Sequence, residues 1–205
     1  MKIRNQLGSH GGPYRVLVFG QTWTRLPTVQ KHSRFLMGLQ AAGMLEEIVV
    51  VGKDSAGGSS PSADVAHLSA ILPATRIKVM GQLGAEEAAN VFHQADLILG
   101  GHLARDICKS GALMAAFSLG CPVVLSDDAE SAPFEVGRHF LSCNGGANGT
   151  DEFLRLAKAG GLGREAAEAF LWYSQNSGWD KLGKCYASCL GLGERQNAPE
   201  VRVQR

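Results

Sequence analysis

Three short segments carry the residues with chemical potential. The first is SGALMAAFSLGCPVVLSDDAE, residues 110–130, where a small-residue turn opens an Ala-rich run that stops at Gly120. A helix starting there leaves its first amides without intrahelical acceptors, at the positive end of the helix dipole. Gly111 adds no side chain to block access, so a diphosphate would fit on the N–H groups of Ser110, Gly111 and Ala112. An ordinary Ser N-cap on a structural helix fits the same residues. The second segment holds Gln21, Thr22, Thr24, Arg25 and Lys31. Arg25 and Lys31 suit phosphate neutralisation, Arg in a bidentate manner, and both equally suit a solvated surface. The third is the acidic group Asp127, Asp128, Glu130 and Glu135. Those carboxylates suit sugar hydroxyls, a metal or acid–base work, or simply a solvated loop.

The elements around these segments say where they meet. RVLVFG (15–20), EEIVVVG (46–52), RIKVMG (76–81), ADLILGG (95–101) and CPVVL (121–125) are short apolar runs of the kind buried in parallel sheets. A sixth, shorter strand is expected at 138–143. Val29, His32, Phe35, Leu36 and Leu39 recur at spacings of three and four, which predicts one amphipathic helix ending at Gly43. Further helices are expected at 63–72, 85–94, 151–159, 164–175 and 179–190. Strand and helix alternate, so the expected class is α/β: a Rossmann-like doubly wound parallel sheet of about six strands with a helical C-terminus. Residues 1–14 read as a flexible arm, 15–192 as one domain and 193–205 as a polar tail. Ligands of such sheets sit beyond the carboxyl ends of the strands. Gly20, Gly52, Gly81, Gly100 and Gly101 all fall at that edge, either to permit tight turns or to let a ligand approach the backbone.

Bulk properties remove several classes. The 205 residues carry a net charge of +1, which speaks against a nucleic-acid site or a basic membrane face. Hydrophobic residues make up 45%, enough for a full core. No apolar run is long enough to span a membrane, and the first residues lack a signal peptide's apolar segment. Cys108, Cys121, Cys143, Cys185 and Cys189 show no zinc spacing and read as reduced thiols of a cytoplasmic protein. The six His are scattered, so no metal site is expected. Nucleophile elbow, P-loop and GxGxxG are all absent.

Read in order, VLVFGQ, IVVVGK, IKVMGQLGAEEAANVFHQADLIL, SGALMAAFSLGCPVVLSD and SGWDKLGKCYASCL resemble the C-terminal, nucleotide-sugar-binding half of GT-B glycosyltransferases of the family 4 (group 1) type. The similarity runs over about 15–186. It implies a donor diphosphate held by Gly20, Arg25 or Lys31 and the backbone of Ser110, Gly111 and Ala112, and a base near Gly81 and Gln82. The substrate would be a UDP- or GDP-linked sugar, with no cofactor and no metal.

The sequence departs from that family in two ways. The family's Glu-x7-Glu pair would fall at Ile107 and Ala115, so neither acid is at its place. Asp106 and Glu130 are the candidates to meet the sugar or ribose instead. The acceptor-binding half of a GT-B enzyme is also missing, which opens one wall of the cleft. The expected function is therefore a hexosyltransferase donor-binding domain or subunit in glycan biosynthesis, partnered by a separate N-terminal-half domain or polypeptide, or by self-association. The rivals are a non-catalytic GT-B-like interaction module and a nucleotide-sugar epimerase.

Overall fold

The computed structural model describes residues 13–53, 62–101, 110–126, 134–143 and 149–177. Six strands form one parallel sheet: β1 (Tyr14–Phe19), β2 (Leu45–Val51), β3 (Arg76–Gly81), β4 (Leu97–Gly100), β5 (Val123–Leu125) and β6 (Leu141–Ser142). Their order is β3-β2-β1-β4-β5-β6. Sequence neighbours step outward from β1 on one side and from β4 on the other, so the chain reverses direction across the sheet between those two strands. The crevice at such a reversal, beyond the strand ends, is where doubly wound sheets bind ligands.

Strand alternation divides the core cleanly. Val16, Val18, Ile48, Val50, Leu97 and Leu99 face one way. They pack with Phe35, Leu36 and Leu39 of α2 (Ser33–Ala41), Leu68 of α3 (Ala63–Ile71) and Phe153 of α6 (Gly149–Lys158). Leu17, Val49, Val51, Ile98, Val123 and Leu125 face the other way. Their partners are Phe92 of α4 (Ala85–Gln94), Leu113 and Phe117 of α5 (Gly111–Leu119), and Ala169 of α7 (Gly161–Asn176). Both faces of the central strands are covered, which is why those strands read as unbroken apolar runs. The edge strand β3 exposes Arg76, Lys78 and Val79, charges of the kind that discourage edge pairing.

Beyond shifts of a few residues at element ends, two differences from expectation matter. Tyr14 belongs to β1, not to the N-terminal arm: it is buried and meets Phe153 edge-on at 5.6 Å. The single helix expected up to Gly43 is two, α1 (Thr22–Lys31) and α2, broken at His32 with φ −92° and ψ 5°. Side chains compete for carbonyls through this stretch. Thr28 Oγ1 donates to Thr24 O at 2.8 Å, Ser33 Oγ to Val29 O at 2.9 Å, and His32 Nδ1 lies 2.9 Å from Thr28 O. Pro27 inside α1 also lacks an N–H, and such interruptions bend helices. The helix expected at 179–190 and the tail at 193–205 lie outside the described residues.

Candidate functional site

The carboxyl edge of the sheet is built around glycines. Gly20, Gly52 and Gly81 end β1, β2 and β3 with φ of 139°, 127° and 62°. Gly20 N–H donates to Val51 O at 3.0 Å, and Gly52 N–H to Gly81 O at 2.7 Å, so the strand ends are laced together. A Cβ on Gly52 would stand 1.8 Å from Gly20 O, and one on Gly20 would stand 2.6 Å from Thr24 Oγ1. Close packing therefore accounts for both glycines, Gly52 against the end of β1 and Gly20 against α1.

Arg25 completes this lacing. Its side chain is fully buried, with Nε 2.7 Å from Asp64 Oδ2 of α3. Nη1 donates to Gly20 O at 3.1 Å and to Gly52 O at 3.0 Å, and Nη2 to Thr22 Oγ1 at 3.1 Å and Asp64 Oδ1 at 3.5 Å. All five N–H donors of a guanidinium are thus engaged. The expectation of Arg25 as a phosphate-neutralising cation is corrected: a buried carboxylate already balances its charge, and it clamps the turns after β1 and β2 onto α3. Gly20 serves the same knot.

Lys31 is placed differently. It is exposed, and its Nζ donates to Gly101 O, just past β4, at 3.1 Å. Thr28 presses on the same point, since a Cβ on Gly101 would stand 2.2 Å from Thr28 Oγ1. Helix α1 therefore leans from the end of β1 across the end of β4. An ammonium has three donors, and among the described residues one of them is engaged.

The turn into α5 carries the other group. Ser110 is its N-cap, buried, with Oγ accepting from Leu113 N at 3.3 Å and its carbonyl accepting from Met114 N at 2.9 Å. Among the described residues no acceptor bonds the amides of Gly111 and Ala112. A Cβ built on Gly111 meets nothing within 4 Å. The Ser cap is real, and it leaves two amides that no described residue bonds, at the positive end of a nine-residue helix. At its far end Gly120, φ 64°, closes α5 and turns the chain into β5.

The remaining expected residues are less gathered. Gly81 and the exposed Gln82 stand at the end of β3, joined to the β2 turn through the Gly52 bond. Ala115 puts a half-buried methyl on α5 where the family resemblance would have a carboxylate. Asp106, Ile107, Asp127, Asp128 and Glu130 lie outside the described residues. Glu135 is exposed and pairs with Arg138 at 3.2 Å. Among the described residues no three His, Cys, Asp or Glu side chains gather to hold a metal. Sequence reasoning missed Asp64, whose only signal was an acid in the first turn of a helix, and Trp23, an exposed indole in the first turn of α1.

No protein-family model matches the sequence, and no curated protein does. Solved structures do match its fold. Anabaena HepE, crystallised with UDP and glucose, aligns with a TM-score of 0.60 and 17% identity over 88% of this chain and 48% of its own. WaaG, a glycosyltransferase involved in lipopolysaccharide biosynthesis, aligns at 0.56 and 17% over 92% of this chain and 50% of its own. The C-terminal domain of the group 1 glycosyltransferase LpcC of Francisella tularensis aligns at 0.56 and 13%, covering 80% and 86%. The chain thus spans about half the length of HepE and WaaG (48% and 50%) and most of the isolated LpcC domain. Its fold is that of the C-terminal half of a GT-B glycosyltransferase.

Proposed function

We propose that this GT-B half binds a nucleoside-diphosphate sugar in the crevice between β1 and β4. In this reading it serves as the donor-holding part of a hexosyltransferase. Its acceptor side comes from another domain, another polypeptide or a second copy. The reading rests on two amides, Gly111 and Ala112, that no described residue bonds, and on the Lys31 ammonium held against Gly101 O just past β4. Two linked phosphoryl groups match that set of donors, because amide dipoles and a cation favour the same charge. Gly81 and Gln82 would flank the base, and Asp106 and Glu130 would meet the sugar or ribose. In transfer, the leaving diphosphate gains negative charge as the sugar departs. Donors fixed in advance at the α5 turn stabilise that charge without reorganising. No protein nucleophile or metal enters this reading. The setting is glycan biosynthesis in the cytoplasm.

Isothermal calorimetry with UDP, GDP, UDP-glucose, UDP-N-acetylglucosamine and GDP-mannose tests it. Saturable binding of at least one, weakened by Lys31→Ala, supports the reading; silence across the panel ends it. A second reading, a non-catalytic interaction module, draws on the Ala115 methyl and the locked Arg25. It predicts that no nucleotide raises the melting temperature while a partner protein does.

A further inference from the structure

Gly101, the residue just past β4, is held by two groups of α1. A Cβ at that position would run into Thr28 Oγ1 and would stand 3.1 Å from both Thr28 Cα and Thr28 Cβ. Carbon atoms in ordinary contact stand about 3.5–4.0 Å apart, so the helix backbone itself leaves no room for a side chain there. Gly101 also lacks the positive φ of Gly20, Gly52 and Gly81, so its backbone angle does not call for glycine. The approach of α1 does. The second group is Lys31, whose Nζ donates to Gly101 O at 3.1 Å.

Thr28 and Lys31 are three residues apart, on one face of the helix and about 4.5 Å along its axis. Thr28 is buried and well fixed. Its Oγ1 donates to Thr24 O at 2.8 Å, and its carbonyl accepts from His32 N at 3.1 Å. Lysine is the reverse, a point charge on a flexible stem that can reach any of several acceptors. What brings Gly101 O within its reach is the depth at which Thr28 seats α1 on the end of β4. Arg25, held to Asp64 at 2.7 Å, fixes the earlier turn of the same helix. Sliding α1 along the sheet edge would break that pair or the Thr28 contact.

We infer that Thr28 is a positioning residue for the Lys31 ammonium, with Gly101 as its required counterpart. The bare glycine lets α1 settle at the depth that sets the cation at the strand end. The part this plays in binding rests on the donor-site reading above. The placement itself does not, and it is measurable with no nucleotide present.

The test uses the full chain as wild type, Gly101→Ala, Thr28→Ala and the Thr28→Ala/Gly101→Ala double variant. Gly38→Ala is the control: a Cβ on Gly38 of α2 would be as crowded, 2.9 Å from Thr150 Cβ, but against α6. Nuclear magnetic resonance at low temperature reads the coupling across the hydrogen bond from the Lys31 ammonium nitrogen to the Gly101 carbonyl carbon, with Lys31→Arg assigning the signal. UDP and GDP are titrated by calorimetry. The expected coupling is present in wild type and Gly38→Ala, lost in Gly101→Ala, weakened in Thr28→Ala and regained in the double variant, where the clashing hydroxyl is gone. Affinity for whichever nucleotide binds follows the coupling, about tenfold weaker in Gly101→Ala and recovering about threefold or more in the double variant. Gly38→Ala stays within about threefold of wild type in affinity while its melting temperature falls. Absence of the coupling in wild type overturns the inference, as does its survival in Gly101→Ala or a double variant no better than the single. Loss of the coupling in Gly38→Ala also overturns it, because the signal would then report general stability, and so does nucleotide affinity that ignores the coupling. If Gly101→Ala does not fold, an unchanged coupling in Thr28→Ala overturns the inference and a weakened one supports it. The expected pattern of coupling without binding of either nucleotide keeps the placement and removes the donor reading.

Discussion

Arg25 and Asp64, 39 residues apart in sequence, meet with both side chains wholly excluded from solvent, Nε to Oδ2 at 2.7 Å. The pair fixes α3 to the turns after β1 and β2, and hence the rim of the crevice. A guanidinium stripped of its carboxylate partner inside a protein is costly. Asp64→Ala is expected to destabilise the chain by about 3–5 kcal/mol in urea unfolding, and Arg25→Met combined with Asp64→Leu by much less. Equal losses in the single and double variants would contradict the pairing as the source of the effect.

A proline at position 111 isolates the proposed phosphate donors. Residue 111 is the first helical position of α5, where Pro is favoured, and Ser110 already has the extended φ −90° and ψ 104° that precede proline. Gly111→Pro removes one amide donor and keeps the helix. Calorimetry should show nucleoside-diphosphate affinity falling roughly tenfold, as for a lost charge-assisted bond, with thermal stability unchanged or raised.

The glycines of the edge separate by the same geometry. Gly52→Ala forces a methyl onto Gly20 O at a backbone angle that side chains avoid, and roughly 3 kcal/mol or more of stability should go. Gly111→Ala projects into open space and should stay within about 0.5 kcal/mol of wild type. Denaturant midpoints of the two variants decide this.

Two buried titratable groups set opposing pH slopes. Burial lowers His32 from 6.5 to about 4, against its bond to Thr28 O. Its contribution is complete above pH 6.5 and fades as pH falls through 4, because the unfolded chain takes up the proton first. Burial raises Glu165 of α7 from 4.5 to about 8, with Arg164 pulling back, and its Oε2 has no hydrogen-bond partner among the described residues. That contribution is complete below pH 4.5 and is lost as pH rises toward 8. Between 4.5 and 6.5 the slopes oppose; from 6.5 to 8, among the described residues, the Glu165 slope remains. Unfolding free energy should drop by about 2 kcal/mol from pH 6.5 to 8 and stay level in Glu165→Gln.

How far the sequence alone led follows from what each residue's neighbours are. Strands such as IVVV and LILG were legible because burial on both faces leaves an unbroken apolar run. Ser110 and Gly120 were legible as helix ends because their roles are local. Arg25 was misread because its partner is on another helix, and nothing in TWTRLP distinguishes a clamped guanidinium from a solvated one. The break at His32 was missed for a related reason: apolar spacing continues through it, while the carbonyl competition that bends the chain comes from hydroxyls and a ring that spacing does not weigh. For the proposed site, the segments around 31 and 110–112 were singled out from residue type and position alone. Which of two neighbouring cations stays available was decided by packing.

The bond from Lys31 to Gly101 O has an entropic side. A lone surface lysine samples many rotamers and surrenders up to about 2 kcal/mol when a ligand freezes it. Here the ammonium is already parked against a carbonyl at the strand end. In the proposed donor site an anion would swap one acceptor for another, or join it, while the aliphatic stem stays where it was, so less side-chain entropy would be lost than at an untethered lysine.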